Sequence, residues 1–322
     1  MKTAIVGLGV MGRVHAEILT AQNKNIVAVC DVNEQKLNAF SNYKGYSDYL
    51  TMLNEEKPDV VHICTPHYLH AEMVIEALKR GVNVICEKPL CIGMEELSKI
   101  IEVEKKSKAI LGVCHQNRYN DANLFVKDYL KDKDINGGYG VVVWKREKGY
   151  YRNSNWRGKW QTEGGGVLIN QALHTLDIMQ WLLGMPTQVC ATCSNFHLKE
   201  IIEVEDSVIA TFFGDCGFNF SATTSGCFDF PVEVTVYAGG EVIKIFNNQV
   251  IINGSKIDFE KSDKIYEKSC YGVGHENLIA DFYNCVNSGE KFWINGEEAG
   301  KVIKLILSTY KSNGKKIDIL EN

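Results

Sequence analysis

The stretch that decides the fold is Thr3-Ala4-Ile5-Val6-Gly7-Leu8-Gly9-Val10-Met11-Gly12. Four residues of strand character run into three glycines spaced G-x-G-x-x-G, and the chain turns helical from Gly12 to Thr20. A glycine spacing alone marks many ordinary turns. Here strand, loop and helix come in the right order, and Asp31 ends the next strand 19 positions after Gly12. Gly7 permits the tight turn, Gly9 lets backbone approach a pyrophosphate, and Gly12 lets helix and strand pack closely. Val10 and Met11 then stand at a helix start, where free N–H groups favour phosphate. The loop predicts dinucleotide binding. Asp31 can accept from both ribose hydroxyls and would repel a 2′-phosphate; Val32 and Asn33 follow it, and not an arginine able to hold one. NAD is therefore expected over NADP.

Outward from the loop, short β-branched runs alternate with helical stretches. The strands are Thr3–Val6, Ile26–Cys30, Val60–Cys64, Asn83–Cys86 and Ala109–Cys114. The helices are Gly12–Thr20, Glu34–Phe40, Tyr46–Leu53, Leu69–Arg80 and Met94–Ser107. That rhythm predicts βαβ units and a doubly wound parallel sheet, a Rossmann domain over residues 1–120 of an α/β protein. Beyond, a helix at Ala122–Leu130 leads through Gly137-Gly138-Tyr139-Gly140 to a strand at Val141–Arg146. A helical stretch over Val167–Leu183 is stopped by Gly184 and Pro186. Five or six alternating strands between Thr187 and Phe259 and helices at His275–Val286 and Glu297–Asn313 complete the pattern. Residues 121–322 read as an α+β domain with a mainly antiparallel open sheet, for substrate binding and oligomerisation.

Composition narrows the class. The 322 residues are 45% hydrophobic and 23% charged, with a net charge of −5, so nucleic acid is not an expected partner. No apolar run reaches the ~18–20 residues of a membrane span, so no membrane is expected either. Gly7, Gly9 and Gly12 interrupt the apolar start and Arg13, His15 and Glu17 follow, so it reads as structure and not as a targeting segment. Eleven cysteines over such a length fit reduced thiols in a cytoplasmic protein. Cys190 and Cys193 form a C-x-x-C in a strand-like run, where positions three apart face opposite ways, and no second pair is near. His62, His67, His70 and Cys64 crowd together, but Thr65-Pro66 turns the chain and no carboxylate completes a set. No metal is expected.

Two further segments add a resemblance. Val60-Val61-His62-Ile63-Cys64-Thr65-Pro66, His70 and Gly81-Val82-Asn83-Val84-Ile85-Cys86-Glu87-Lys88-Pro89, with Gly164-Gly165-Gly166 through Asn170, His174 and Asp177, resemble the Gfo/Idh/MocA family of NAD(P)-dependent sugar and polyol dehydrogenases. The likeness runs nearly the whole chain in the right order. It implies hydride transfer between nicotinamide and a secondary alcohol of a sugar, sugar acid, polyol or nucleotide sugar. It also implies a homodimer or homotetramer. Cofactor contacts implied beyond the glycine loop are Cys64, Thr65, Pro66, His70, Glu87, Lys88 and Asn117.

The resemblance makes Lys88 and His174 the catalytic pair, and the residues agree. Lys88 follows a buried strand at the carboxyl edge of the sheet, where ligands bind in such folds, and Pro89 restricts its backbone and allows a cis bond. Its ammonium can stabilise a developing alkoxide. Histidine as a residue type titrates near neutral pH, which suits His174 to proton transfer. Asn170, His174 and Asp177 are spaced i, i+4, i+7, one face of a helix, with Asp177 either a partner of His174 or a backbone hydrogen-bonder. Many relatives carry aspartate at the position of Asn170. A neutral amide there cannot raise the histidine's basicity, and its part would be to orient a hydroxyl or the imidazole.

Substrate contacts are further expected from Arg118 and Tyr119, and from Trp156 and Arg157 within the basic, aromatic stretch Trp144–Trp160. That stretch can receive a uronate or a nucleotide-sugar phosphate, with Tyr150, Tyr151 or Trp156 stacking on a ring. Tyr271 and His275 are weaker candidates. Two other functions fit the same fold: an NAD-dependent glycosidase, and a silent NAD- or sugar-binding protein.

Overall fold

The computed structural model describes residues 1–225, 228–246, 249–259 and 274–321. The chain divides into two compact units, Met1–Gln116 with the described part of Ser262–Gly300, and Asn117–Lys261 with Lys301–Asn322.

The first unit alternates β1 (Lys2–Val6), α1 (Val10–Ala21), β2 (Asn25–Cys30), α2 (Glu34–Asn38), β3 (Lys44–Tyr46), α3 (Tyr49–Glu56), β4 (Val60–Ile63), α4 (His67–Lys79), β5 (Asn83–Cys86), α5 (Met94–Lys106) and β6 (Leu111–Val113). The six strands lie in the order β3-β2-β1-β4-β5-β6, every pair parallel. Helices cover both faces of such a sheet, so its strands are apolar throughout, and Ala4, Ile5, Val84 and Ile85 are fully buried. Strand order reverses at the β1–β4 junction, the point where ligands bind in open α/β sheets. The expected doubly wound sheet is present.

Most boundaries differ by one to three residues, and one difference adds a strand. The helix expected from Tyr46 is preceded by β3, whose Lys44–Tyr46 pairs with Ala28–Cys30. The helix begins only after Asp48, whose carboxylate caps it by accepting from Thr51 N–H at 2.7 Å.

The second unit holds a short 3₁₀ turn (Gln116–Tyr119, its first residue in the first unit), α6 (Asp121–Tyr129), β7 (Ile135–Lys145), α7 (Lys148–Arg152), α8 (Trp160–Glu163), a π turn (Leu168–Ala172) and α9 (Leu173–Leu183). Strands β8 (Gln188–Ser194), β9 (Ser207–Phe213), β10 (Phe218–Ser225), β11 (Phe230–Ala238), β12 (Glu241–Phe246), β13 (Gln249–Ile252) and β14 (Ser255–Asp258) follow. After α10 (Gly274–Ser288) and α11 (Gly296–Ser312), β15 (Ile317–Asp318) closes a nine-stranded sheet ordered β14-β13-β12-β11-β7-β10-β9-β8-β15. Only β7 and β10 pair in parallel among these strands.

Gly137, Gly138 and Gly140, which precede the strand expected from Val141, lie inside β7. A Cβ on Gly138 would sit 2.3 Å from the Thr235 carbonyl oxygen, so glycine here admits a close neighbouring strand and marks no turn. The sequence reading also gave everything beyond residue 120 to the second domain. Instead α10 packs in the first unit, burying Leu278, Ile279, Phe282 and Tyr283. Gly112 of β6 makes the room: a Cβ there would meet the Phe282 ring at 2.6 Å.

Candidate active site

In the first unit the site begins where β1 stops. Gly7 turns the chain at φ +85° and donates to Cys30 O at 2.8 Å. A Cβ on Gly7 would lie 2.6 Å from Cys64 O, and one on Gly12 1.9 Å from Gly7 O. Both glycines are demanded by the protein's own packing. Gly9 is different: it is the N-cap of α1 in extended conformation, and a Cβ there would meet nothing within 4 Å. The space over Gly9 is open, as a pyrophosphate seated on the Val10 and Met11 amides requires. The residues fit the dinucleotide the loop implies.

Asp31 is buried and fixed to that loop. Its Oδ2 accepts from Leu8 N–H at 2.8 Å and from Lys36 Nζ at 3.1 Å, and its Oδ1 accepts from Asn33 N–H at 2.8 Å. Lys36 escaped the sequence reading, which looked only at the residues directly after Asp31. Its half-exposed ammonium offsets part of the carboxylate's charge.

Cys64 is buried and Thr65 and Pro66 half-buried at the end of β4. His70, expected at the cofactor, is fully buried, with Nδ1 2.7 Å from Pro89 O and Nε2 2.8 Å from Thr65 O. It clamps the loops after β4 and β5 to each other. Burial lowers its pKa against the two carbonyl acceptors, which act to raise it. Glu87, also expected at the cofactor, accepts through Oε1 from His15 Nε2 and His275 Nε2, each at 3.0 Å, with its side chain 6% exposed. Burial pushes its carboxyl up, but the two imidazole hydrogen bonds outweigh this and hold it well below the usual carboxylate range. Both residues therefore shape the loop that carries Lys88. Lys88 itself is half-buried, and its peptide bond to Pro89 is cis.

In the second unit, Gly164-Gly165-Gly166 packs too tightly for any other residue at its last two positions. Added Cβ atoms would lie 2.0 Å from Tyr310 Oη and 1.9 Å from Glu205 O. The buried Glu205 carboxylate accepts from Gly166 N–H (2.9 Å), Leu168 N–H (3.0 Å) and Tyr310 Oη–H (3.0 Å), anchoring the start of the π turn. The predicted single helix is thus a π turn feeding α9, so a strict i, i+4, i+7 face does not run through it. π turns are rare and favour functional sites.

Asn170 sits on this π turn and His174, buried, on the first turn of α9. The Asn170 amide donates to Glu163 Oε1 and to Tyr150 Oη at 3.2 Å. Glu163 is 1% exposed and also accepts from Gly158 N–H. A carboxyl group therefore lies one amide away from the position where many relatives carry aspartate. Sequence reasoning missed Glu163; its only signal was a carboxylate directly before three glycines.

The basic stretch converges here too. The Arg146 and Arg157 guanidiniums lie 4.8 and 4.5 Å from the Tyr150 ring centre, and Arg157 also stacks on Trp156 at 4.6 Å. Asn170, Tyr150, Arg157 and Trp156, four of the candidates, form one linked group. Arg118, expected at the substrate, is fully buried, and its guanidinium donates to the Asp177 carboxylate through Nε at 2.8 Å and Nη2 at 2.7 Å. Tyr119 is half-buried, and the half-buried Asn117 uses its carbonyl to accept from Asn123 Nδ2 at 2.7 Å. Tyr271 lies outside the described residues.

A glycine loop at the switch point of a doubly wound sheet marks one unit as a dinucleotide-binding fold, and the other unit is built on an open mixed sheet. Comparison agrees: the model of the oxidoreductase family with NAD-binding Rossmann fold matches residues 1–115, and that of the GFO/IDH/MocA C-terminal domain matches 136–246. The chain belongs to the Gfo/Idh/MocA oxidoreductase family. It is 28% identical to D-glucoside 3-dehydrogenase of Escherichia coli (strain K12) over 61% of this chain and 58% of that one, so the match spans little more than half of that relative. It is 26% identical to myo-inositol 2-dehydrogenase of Thermotoga maritima over 97% and 96% of the two chains. In structure it is similar to the WlbA dehydrogenase from Bordetella pertussis, solved with NADH and UDP-GlcNAcA, at 24% identity and a TM-score of 0.89, covering 100% and 98% of the chains.

Proposed function

We propose that the protein is an NAD-dependent dehydrogenase that oxidises a secondary alcohol of a sugar-like substrate reversibly. The observation that carries this is the open space above Gly9 beside a loop-anchored Asp31, in a chain whose relatives are named as sugar and polyol dehydrogenases. When bound, the nicotinamide ring supplies the two-electron acceptor. Lys88 donates to the reacting hydroxyl and stabilises its developing negative charge. His174 takes the hydroxyl proton on oxidation and returns it on reduction. Asn170, with its amide fixed by Glu163 and Tyr150, orients a hydroxyl.

Arg146 and Arg157 favour a substrate that carries an acid group, a uronate or a nucleotide sugar. The buried Nε of each has no hydrogen-bond partner among the described residues. Buried free thiols at Cys30, Cys64, Cys86, Cys91 and Cys114 support a reducing, cytoplasmic setting. The outer face of the mixed sheet exposes Ile209, Tyr237 and Val242, which supports a homodimer or homotetramer.

The test is NAD(H) binding by titration, followed by NADH formation over a panel of sugars, uronates and nucleotide sugars. Lys88→Ala and His174→Ala should each lower kcat by about 10²–10⁴-fold with NAD still bound. No NAD binding, or turnover intact in both variants, refutes the proposal. Glycoside cleavage without net NADH would assign an NAD-dependent glycosidase, and binding without any turnover a silent NAD- or sugar-binding protein.

A further inference from the structure

Four buried side chains of the first unit point at one another from distant parts of the sequence: His15 on α1, Glu87 after β5, Cys114 after β6 and His275 on α10. One ligand atom from each, an imidazole nitrogen, a carboxylate oxygen, a thiol sulfur and a second imidazole nitrogen, all lie within 4.8 Å of one another. His15 Nε2 and His275 Nε2 are each 3.0 Å from Glu87 Oε1, and Cys114 Sγ is 4.0 Å from His15 Nε2. Tetrahedral zinc with bonds of ~2.0–2.3 Å sets its ligand atoms about 3.3–3.7 Å apart. The separations here run from below that range to above it, so side-chain adjustments of up to about 1 Å would close the shell.

We propose that these four residues form a structural zinc site. The donor set suits zinc, and four protein ligands leave no open position for catalysis. Charge balances as well. One thiolate and one carboxylate neutralise the divalent ion, and two neutral imidazoles complete the shell, which is what a buried site requires. The His15 ring is already oriented from behind. Its Nδ1 lies 2.8 Å from His62 Nδ1, His62 Nε2 lies 3.1 Å from Tyr283 Oη, and Tyr283 Oη lies 2.7 Å from Thr3 Oγ1. With His15 Nε2 on the metal, each member of this relay donates to the next and ends on the threonine hydroxyl. Such outer partners fix the tautomer of a metal-bound histidine. The site would cross-link α1, α10 and the ends of β5 and β6 directly behind Lys88. It is distinct from the His62, His67, His70 and Cys64 set, in which His62 serves the relay and His70 the loop clamp.

Cobalt is the probe, because it takes the same ligands and reports them optically, independently of turnover. The full chain, stripped with a chelator under reducing conditions, should bind one Co²⁺ with tetrahedral bands and a thiolate-to-cobalt charge-transfer band, and Zn²⁺ should displace it. Cys114→Ser should lose the charge-transfer band. His62→Phe should keep it while weakening affinity about 10–100-fold. Should either variant fail to fold, X-ray absorption on the zinc-loaded wild type decides the matter by showing one sulfur and three nitrogen or oxygen neighbours. No stoichiometric uptake, uptake without sulfur ligation, or a charge-transfer band that survives Cys114→Ser would overturn the site and leave a purely hydrogen-bonded network.

Discussion

Arg118 and Asp177 meet as a buried fork, Nε to Oδ2 at 2.8 Å and Nη2 to Oδ1 at 2.7 Å, with side chains 0% and 1% exposed. The pair ties the turn at Gln116–Tyr119 to α9, the helix that carries His174. Removing one partner of such a pair strands the other charge in the core. Asp177→Ala should therefore lower stability by about 3–5 kcal/mol in urea unfolding. A loss under about 1 kcal/mol would mean that the pair is solvated in solution.

The glycine loop predicts opposite outcomes at two of its positions. Gly9→Ala introduces a methyl group into open space on extended backbone, so unfolding should change by no more than about 0.5 kcal/mol. NAD affinity should nevertheless fall clearly, because the methyl occupies the pyrophosphate's approach. Gly12→Ala forces a Cβ onto Gly7 O and should destabilise the apo-protein itself by more than about 1 kcal/mol. Equal thermal shifts for both variants would contradict this.

At Asp31, replacement by alanine removes the acceptor expected for the ribose hydroxyls and leaves Lys36 without its carboxylate. The preference for NAD over NADP should drop by about 10–100-fold, the worth of one or two charge-assisted hydrogen bonds. Steady-state kinetics with both cofactors reads this directly, and an unchanged ratio would remove Asp31 from cofactor choice.

Glu205 provides a pH signature. Burial raises its pKa from 4.5 to about 7, against hydrogen bonds from the Leu168, Glu205 and Gly166 backbone and the Tyr310 hydroxyl that lower it. Between those values the folded protein holds a proton that the unfolded chain has released, so stability must fall as pH rises through that window. The contribution is complete below pH 4.5 and lost above about 7, on the order of 3 kcal/mol. Glu205→Gln mimics the protonated form, and its unfolding curve should lack this component. Identical pH dependence in the two proteins would refute the assignment.

Several features were legible in the residues because their causes are local. A turn at φ +85° needs Gly7, a doubly buried strand needs an apolar run such as Ala4-Ile5-Val6, and Lys88 follows such a strand directly. Boundaries failed where an ambiguous local signal was overridden. β3 exists because β2 offers it an edge, and β7 begins at Ile135, ahead of the Val141 expected, because its glycines admit a close neighbouring strand.

What the sequence determined by itself was the class of fold, the dinucleotide loop and the chemistry of single side chains. What only the tertiary structure decided was partnership. Asn170 is neutral, yet Glu163 stands against its amide; Arg118 belongs to Asp177; Glu87 serves His15 and His275. These pairings join residues up to 188 positions apart. Spacing along the chain constrains φ, ψ and the face a residue lies on, whereas the partner of a buried charge is set by which surfaces the packed core brings together. The glycine loop could be read from ten consecutive residues, but the network behind Lys88 needed the folded chain.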